Sequence, residues 1–384
     1  MVRSGLEILL EDVSPLGKKR IGLITNYTAV SARFSFIWDE FIDRGLDLAR
    51  VFSPEHGLFG TEQDQVPVER EPEFSFPVAS LYGSSAASLF PPGDALDDVD
   101  ALVFDIQDVG ARYYTFVNTM VYAMREIQGR DISFIVLDRP NPIGGAIEGP
   151  LLSAGYESFV GVLPVTVRHG MTAGELALLA KDCFGLDLDL SVVRMRGWKR
   201  GMYFEETGLP WIPPSPNMPD CGTALVYPGM CLVEGMNFSE GRGTATPFRL
   251  TGAPWIEPHG FARALNAIGL PGIHFVPHFF RPQFNKYAGR VCGGARLHVT
   301  DRDAFRPFLT GVALVKTACD LYPECSFLHG VYEFNDTHPA FDLLAGNSSV
   351  REMIQAGKTI DEIAASWAED EAAFRDVRLK YLLY

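Results

Sequence analysis

The chain has 384 residues, 47% of them hydrophobic and 21% charged, with a net charge of −15 and a pI near 5.0. That length supports a large core, in two domains or one domain with an added lobe, so neither a disulfide nor a metal is needed as a staple. The acidic field and the lack of any Lys/Arg block argue against a nucleic-acid partner, and no apolar run approaches the ~20 residues that a bilayer span needs.

Ile21-Gly22-Leu23-Ile24-Thr25 predicts a first strand that ends at Asn26. Residues 31–44 then place Phe34, Ile37, Trp38 and Phe41 on one helical face, stopped by Gly45. A second strand near 49–53 runs into Pro54-Glu55-His56-Gly57. A third at 101–106 ends at Gln107 and Asp108, and a helix follows at about 115–128. The fourth, at 133–137, meets Asp138, Arg139 and Asn141 before a Pro/Gly break. Strands this apolar, alternating with helices, predict an α/β fold: a Rossmann-like parallel sheet covered on both faces, its strand order unreadable. Thr172 and Glu175 form a capping box for a helix at 173–184, and a strand follows at 188–195. Residues 207–256 are dense in Gly and Pro and read as long irregular segments. Beyond them, helical patterns near 258–268, 301–321, 348–356 and 359–376 alternate with strand-like pieces at 273–277 and 294–299. The expected division is a Rossmann-like catalytic domain over 1–250 and a smaller α+β C-terminal domain over 251–384.

Open parallel sheets bind ligands at the carboxyl ends of their strands. Four polar clusters at four strand ends therefore predict one polar cleft with Glu55 near its centre. Thr25-Asn26-Tyr27-Thr28-Ala29 stands where a dinucleotide-binding glycine fingerprint would be, and no GxxxxGK[ST] occurs, so no cofactor is expected. Glu55 either protonates a leaving oxygen from the cleft or simply caps a turn. His56 and His169 read as hydrogen bonders; with no His or Cys at metal-ligand spacing, no metal is expected. Gln107 and Asp108 have the donors and acceptors to hold hydroxyls or an acetamido group, with an Asp108–Arg112 pair as the structural alternative. Tyr113 and Tyr114 offer faces to sugar rings or pack beneath a helix. Between 227 and 244, Glu234, Glu240 and Arg242 lie among glycines. Either acid can be the second carboxylate of glycoside hydrolysis, while Arg242 forks onto a substrate carboxylate or locks its loop through Glu240. The six cysteines (Cys183, Cys221, Cys231, Cys292, Cys319, Cys325) form no CxxC and read as idle thiols, favouring a reducing compartment. Residues 1–6 lack a signal peptide's apolar core, so a cytoplasmic location is expected, or a periplasmic or secreted one if a leader was removed.

These segments, in this order, resemble the exo-acting β-N-acetylmuramidase (NamZ-type) family of peptidoglycan hydrolases, formerly a domain of unknown function. The resemblance is carried by Ile21 through Asn26, Ser53-Pro54-Glu55-His56-Gly57, Phe104 through Arg112, and Asp138-Arg139-Pro140-Asn141-Pro142. It continues through Val167-Arg168-His169-Gly170-Met171-Thr172, Ser215-Pro216-Asn217-Met218-Pro219 and the stretch from Glu234 to Thr244, then through Tyr332-Glu333-Phe334 and Pro339 to Leu344. Gly235-Met236-Asn237 carries Met where the family pattern has Thr. The resemblance implies release of N-acetylmuramic acid from the non-reducing end of MurNAc-GlcNAc saccharides, in cell-wall recycling, from a cleft between two lobes. Glu55 matches the family's catalytic glutamate. Glu234 or Glu240 would then be nucleophile or base, or the substrate's acetamido oxygen would attack, positioned by Gln107 or Asp108. Asn26, His56, Asp138, Asn141 and Asn217 would hold hydroxyls, and one of Arg112, Arg168 or Arg242 would meet the lactyl carboxylate. The rival reading is a non-catalytic module that binds cell-wall sugar.

Overall fold

The computed structural model describes residues 1–384. Five strands come first: β1 (Arg20–Thr25), β2 (Asp47–Ser53), β3 (Val78–Ser80), β4 (Ala101–Asp105) and β5 (Ser133–Leu137). An antiparallel pair follows, β6 (Glu148–Leu151) with β7 (Thr166–Arg168), and then β8 (Leu190–Val193). β1 to β5 and β8 make one parallel sheet in the order β3-β2-β1-β4-β5-β8. The chain winds outward from β1 to β3, then returns to β4 and winds the other way, so the reversal lies between β1 and β4. The α/β class and the parallel sheet are as the alternation of apolar strands and helices requires.

Successive strand residues point to opposite faces. Ile21, Leu23, Val51, Val103 and Ile135 cover one face and pack with Ile37, Trp38 and Phe41. Ile24, Phe52, Phe104, Phe134 and Val136 cover the other, in a core that continues unbroken to Phe308, Val312 and Phe341. The helix expected over 31–44 is shorter, Ile37–Asp43. Ser31 N–H bonds Ser35 O at 2.8 Å to close a turn. Phe34 sits in that turn at φ 59°, exposed rather than on the apolar face. The capping box forms as expected: Thr172 Oγ1 accepts from Glu175 N–H (3.3 Å), and the Glu175 carboxylate accepts from Thr172 N–H (3.0 Å).

The Gly- and Pro-rich stretch is more regular than its composition suggests. A helix, Cys221–Met230, runs through Pro228 and continues as a 3-10 turn, Cys231–Gly235. Asp220 starts it by accepting from Thr223 N–H at 2.8 Å. Its weak propensity is overridden by packing. The helix crosses Pro307–Leu321 so closely that a Cβ on Gly229 would lie 1.8 Å from Pro307 O, and one on Gly311 2.1 Å from Gly229 O. The C-terminal half adds an antiparallel sheet in the order β10 (Ile273–Phe280), β11 (Cys292–Val299), β9 (Leu250–Ala253). The pattern over 359–376 is two helices, Ile360–Ala365 and Ala368–Arg378, not one. No helix is long and apolar enough to cross a membrane.

Candidate active site

β2 ends at Ser53, and the next four residues make a tight turn. His56 (φ 70°) and Gly57 (φ 80°) are both left-handed, a strained state for histidine. Its ring Nδ1 lies 3.0 Å from Glu62 O. The turn places Glu55 beneath the first turn of helix Thr115–Glu126. Thr115 Oγ1 donates to Glu55 Oε2 at 2.6 Å, and Gln65 N–H points to Oε1 at 3.4 Å. Glu55 is only 4% exposed, yet it borders a cavity with His56, Asp64, Tyr113, Tyr114, Ser215, Asn217, Glu234, Arg242, Tyr332 and Glu333.

Glu333 comes from the C-terminal half, on a segment where Glu333 and Phe334 both have positive φ (46° and 63°). Its Oε2 accepts from Tyr82 Oη at 2.8 Å. Burial and the neighbouring Glu55 charge push the Glu333 carboxyl well above the usual range, against the Tyr82 hydrogen bond. A carboxyl raised in this way keeps its proton beyond the usual carboxylate range. Glu234 accepts from Tyr332 Oη (2.6 Å) and pairs with Arg242 Nη1 (2.9 Å). Burial raises its carboxyl despite Arg242. Arg242 also lies 3.2 Å from Asp64 and 3.1 Å from Glu240, and stacks over Phe248 at 4.9 Å. Glu240 stands behind this layer, outside the cavity lining, between Arg242 and Lys286 (3.0 Å). Burial alone would raise it, but those two cations outweigh burial and hold it below the usual carboxylate range.

The remaining residues expected at the cleft do not line this cavity. Asn26 Oδ1 accepts from Thr28 N–H (3.0 Å) and Thr28 Oγ1 (2.6 Å). Gln107 Nε2 donates to the Asp108 and Pro140 carbonyls (2.7 and 2.8 Å). Asp108 accepts from Gly110 N–H at 2.7 Å and lies 3.7 Å from His169 Nε2. Burial pushes Asp108 up to about 7 and, with Arg378 and Arg112, His169 down to about 3. Arg112 does not pair with Asp108; it donates to the carbonyls of Pro150, Val165 and Leu344. Asp138 is held by Thr172, Gly174 and Tyr384, Asn141 bonds Met171 O and Ile143 N–H, and Arg168 bonds Ile143 O. The single polar cleft is thus corrected. The polar groups of the other three strand-end clusters bond mostly to neighbouring chain, with Asp108 Oδ1 left without a partner, and only the β2 cluster opens onto the cavity around Glu55.

Asp64, Tyr332 and Glu333 were not among the expected site residues. Glu333 lies in an aperiodic stretch, and only its place in Tyr332-Glu333-Phe334 marked it in the sequence. The free space around Glu55 is small, about 40 Å³. A larger cavity of about 280 Å³ lies where the sheet order reverses, lined by Val2, Thr28, Gln107, Arg139, Phe204 and Leu209 among others. Its only acid, Glu7, already accepts from Ala32 N–H at 2.6 Å. Size favours that cavity, but the coupled carboxylates that chemistry needs surround Glu55.

The chain matches two family models, exo-beta-N-acetylmuramidase NamZ, N-terminal, over residues 21–222 and its C-terminal counterpart over 225–384. It is 45% identical to the peptidoglycan beta-N-acetylmuramidase NamZ of Bacillus subtilis (strain 168), across 100% of this chain and 91% of that protein. Two crystal structures of DUF1343 family proteins from Bacteroides fragilis NCTC 9343 share the fold. One has a TM-score of 0.89 at 33% identity, the other 0.78 at 30%, each covering 100% of this chain and 99% of its own.

Proposed function

Because the chain belongs to the exo-beta-N-acetylmuramidase NamZ family, we propose that it is a glycosidase releasing N-acetylmuramic acid from the non-reducing end of peptidoglycan fragments, with Glu55 as acid/base. The observation that carries the residue assignment is that Glu55 shares one cavity with a second carboxyl, Glu333, which burial and the Glu55 charge push well above the usual range. Glycoside cleavage needs a proton on the departing oxygen, and carboxyl groups whose environments differ are the usual means. Glu55 delivers a proton to that oxygen, which keeps the electrons of the broken bond. Positive charge then develops on the sugar, among the carboxylates of Glu333, Glu234 and Asp64. The water that completes hydrolysis bonds to the sugar carbon and returns a proton to Glu55.

Glu240 is neutralised by Lys286 and Arg242 behind the wall, which leaves it a supporting role. Of the three arginines considered for the lactyl carboxylate, only Arg242 borders the cavity, and we assign it that contact. His56 and Asn217 border it too and are assigned to hydroxyls. A binding-only protein has little use for buried, coupled acids facing an anionic sugar. The test is Glu55→Gln, which preserves shape and the Thr115 hydrogen bond. Cleavage of a muramoyl–glucosamine disaccharide should fall about 10²–10⁴-fold, the range for a lost acid/base group. Near-normal turnover would remove Glu55 from the chemistry.

A further inference from the structure

A second cavity, of about 220 Å³, opens beside the first, and Glu333 borders both. We propose that this outer cavity binds the leaving saccharide, so that Tyr82, Ser84, Val331 and Phe334 select which glycosides are cleaved. The proposal rests on the reading of Glu55 given above and adds the place of the aglycone to it.

Three observations carry it. A general acid must reach the scissile oxygen, which lies at the border between the sugar being released and its leaving group. Glu55 stands at such a border: its Oε1 faces the N–H of Gln65 (3.4 Å), and Gln65 itself lines the outer cavity. Next, an enzyme acting on a non-reducing end encloses one sugar, while the rest of the glycan must reach solvent. The outer cavity has that form, with Gln65, Ser84 and Val331 exposed on its rim. Finally, its wall suits a pyranose. The rings of Tyr82 and Phe334 meet at 63° with centroids 5.5 Å apart, and Val331 is left 72% exposed beside them. Tyr82 is buried and backs Phe334; the half-buried Phe334 and exposed Val331 match the apolar face of a sugar, and the rim's amide and hydroxyl match its edge. The ligand class is therefore a neutral amino-sugar ring in β-linkage to the muramoyl unit.

Two substrates with one muramoyl unit separate this cavity from the inner one. The muramoyl–N-acetylglucosamine disaccharide places a ring in the outer cavity, whereas the muramoyl fluoride places only a departing ion. Phe334→Ala removes the wall, and Ser84→Trp fills the cavity from an exposed rim where folding is not at stake. Each should lower kcat/KM for the disaccharide about tenfold more than for the fluoride. An equal loss on both substrates, or no loss on either, in variants that unfold at the wild-type temperature overturns the proposal. Neither result touches the acid/base assignment, which fails separately if Glu55→Gln still cleaves the disaccharide.

Discussion

Replacing Glu333 with Gln tests the role of its raised carboxyl directly. The change keeps side-chain volume and leaves an oxygen to accept from Tyr82, 2.8 Å away in the wild type. It removes only the ionisable proton, which burial and the Glu55 charge hold well above the ordinary carboxyl range. A positioned proton donor contributes about 10²–10⁴ in rate, or ~2.7–5.4 kcal/mol of barrier. Since Glu55 remains, the lower end applies: roughly a 100-fold loss in kcat/KM at neutral pH. The sign of the pH effect follows from the raised carboxyl. Wild-type Glu333 keeps its proton until pH passes that raised value, so an alkaline limb lies above the usual carboxyl range, and the variant lacks that limb. Stability moves the opposite way. A raised acid binds more protons folded than unfolded, which costs stability as pH rises, and Gln removes that cost. Disaccharide turnover and denaturant melts across the pH range are the assay. A variant whose pH–rate profile and kcat superimpose on the wild type would refute a role for the Glu333 proton.

Asp108→Asn probes the covered edge of the sheet. Burial holds Asp108 at about 7 against an ordinary 3.8, so the wild type loses stability between those values as pH rises. Over about three units, at ~1.36 kcal/mol each, the variant should gain up to ~4 kcal/mol relative to wild type at alkaline pH; a flat difference between acid and alkaline melts would contradict this. Gly229→Ala forces a Cβ into Pro307 O and should cost about 3 kcal/mol in urea denaturation. Arg242→Lys keeps the charge but loses the planar fork. It should raise KM for the muramoyl substrate more than it lowers kcat, and an unchanged KM would remove Arg242 from the lactyl contact.

The fold was legible where local pattern and tertiary packing agree. Ser133–Leu137 and Ala101–Asp105 are buried runs of apolar residues bounded by polar ones, and both are strands. Cys221–Met230 was hidden because its glycines serve the contact with Pro307–Leu321 and Pro228 mimics a break. Phe34 misled because helical spacing cannot register the turn that turns it outward. Within the site, Glu55 was legible from its place at a strand's carboxyl end. Asp138 and Gln107 occupy equivalent ends, yet Asp138 is sealed by Thr172 and Tyr384 and Gln107 faces a different cavity, which strand position alone does not encode. Glu333 depends on Tyr82 and Glu55, more than 250 positions away, and no periodicity links them.

The unbroken apolar interior between sheet and C-terminal helices, with Gly229 and Gly311 in backbone contact, makes the two halves a single rigid body. Hinge-bending between them would strip that packing. The stretch 328–338 that carries Glu333 is pinned to this frame by Leu328 N–H to Gly235 O and by the Tyr332 phenol to Glu234. The acid with the raised carboxyl is therefore anchored from both sides of the molecule, by Tyr82 on one and by its own loop's ties on the other.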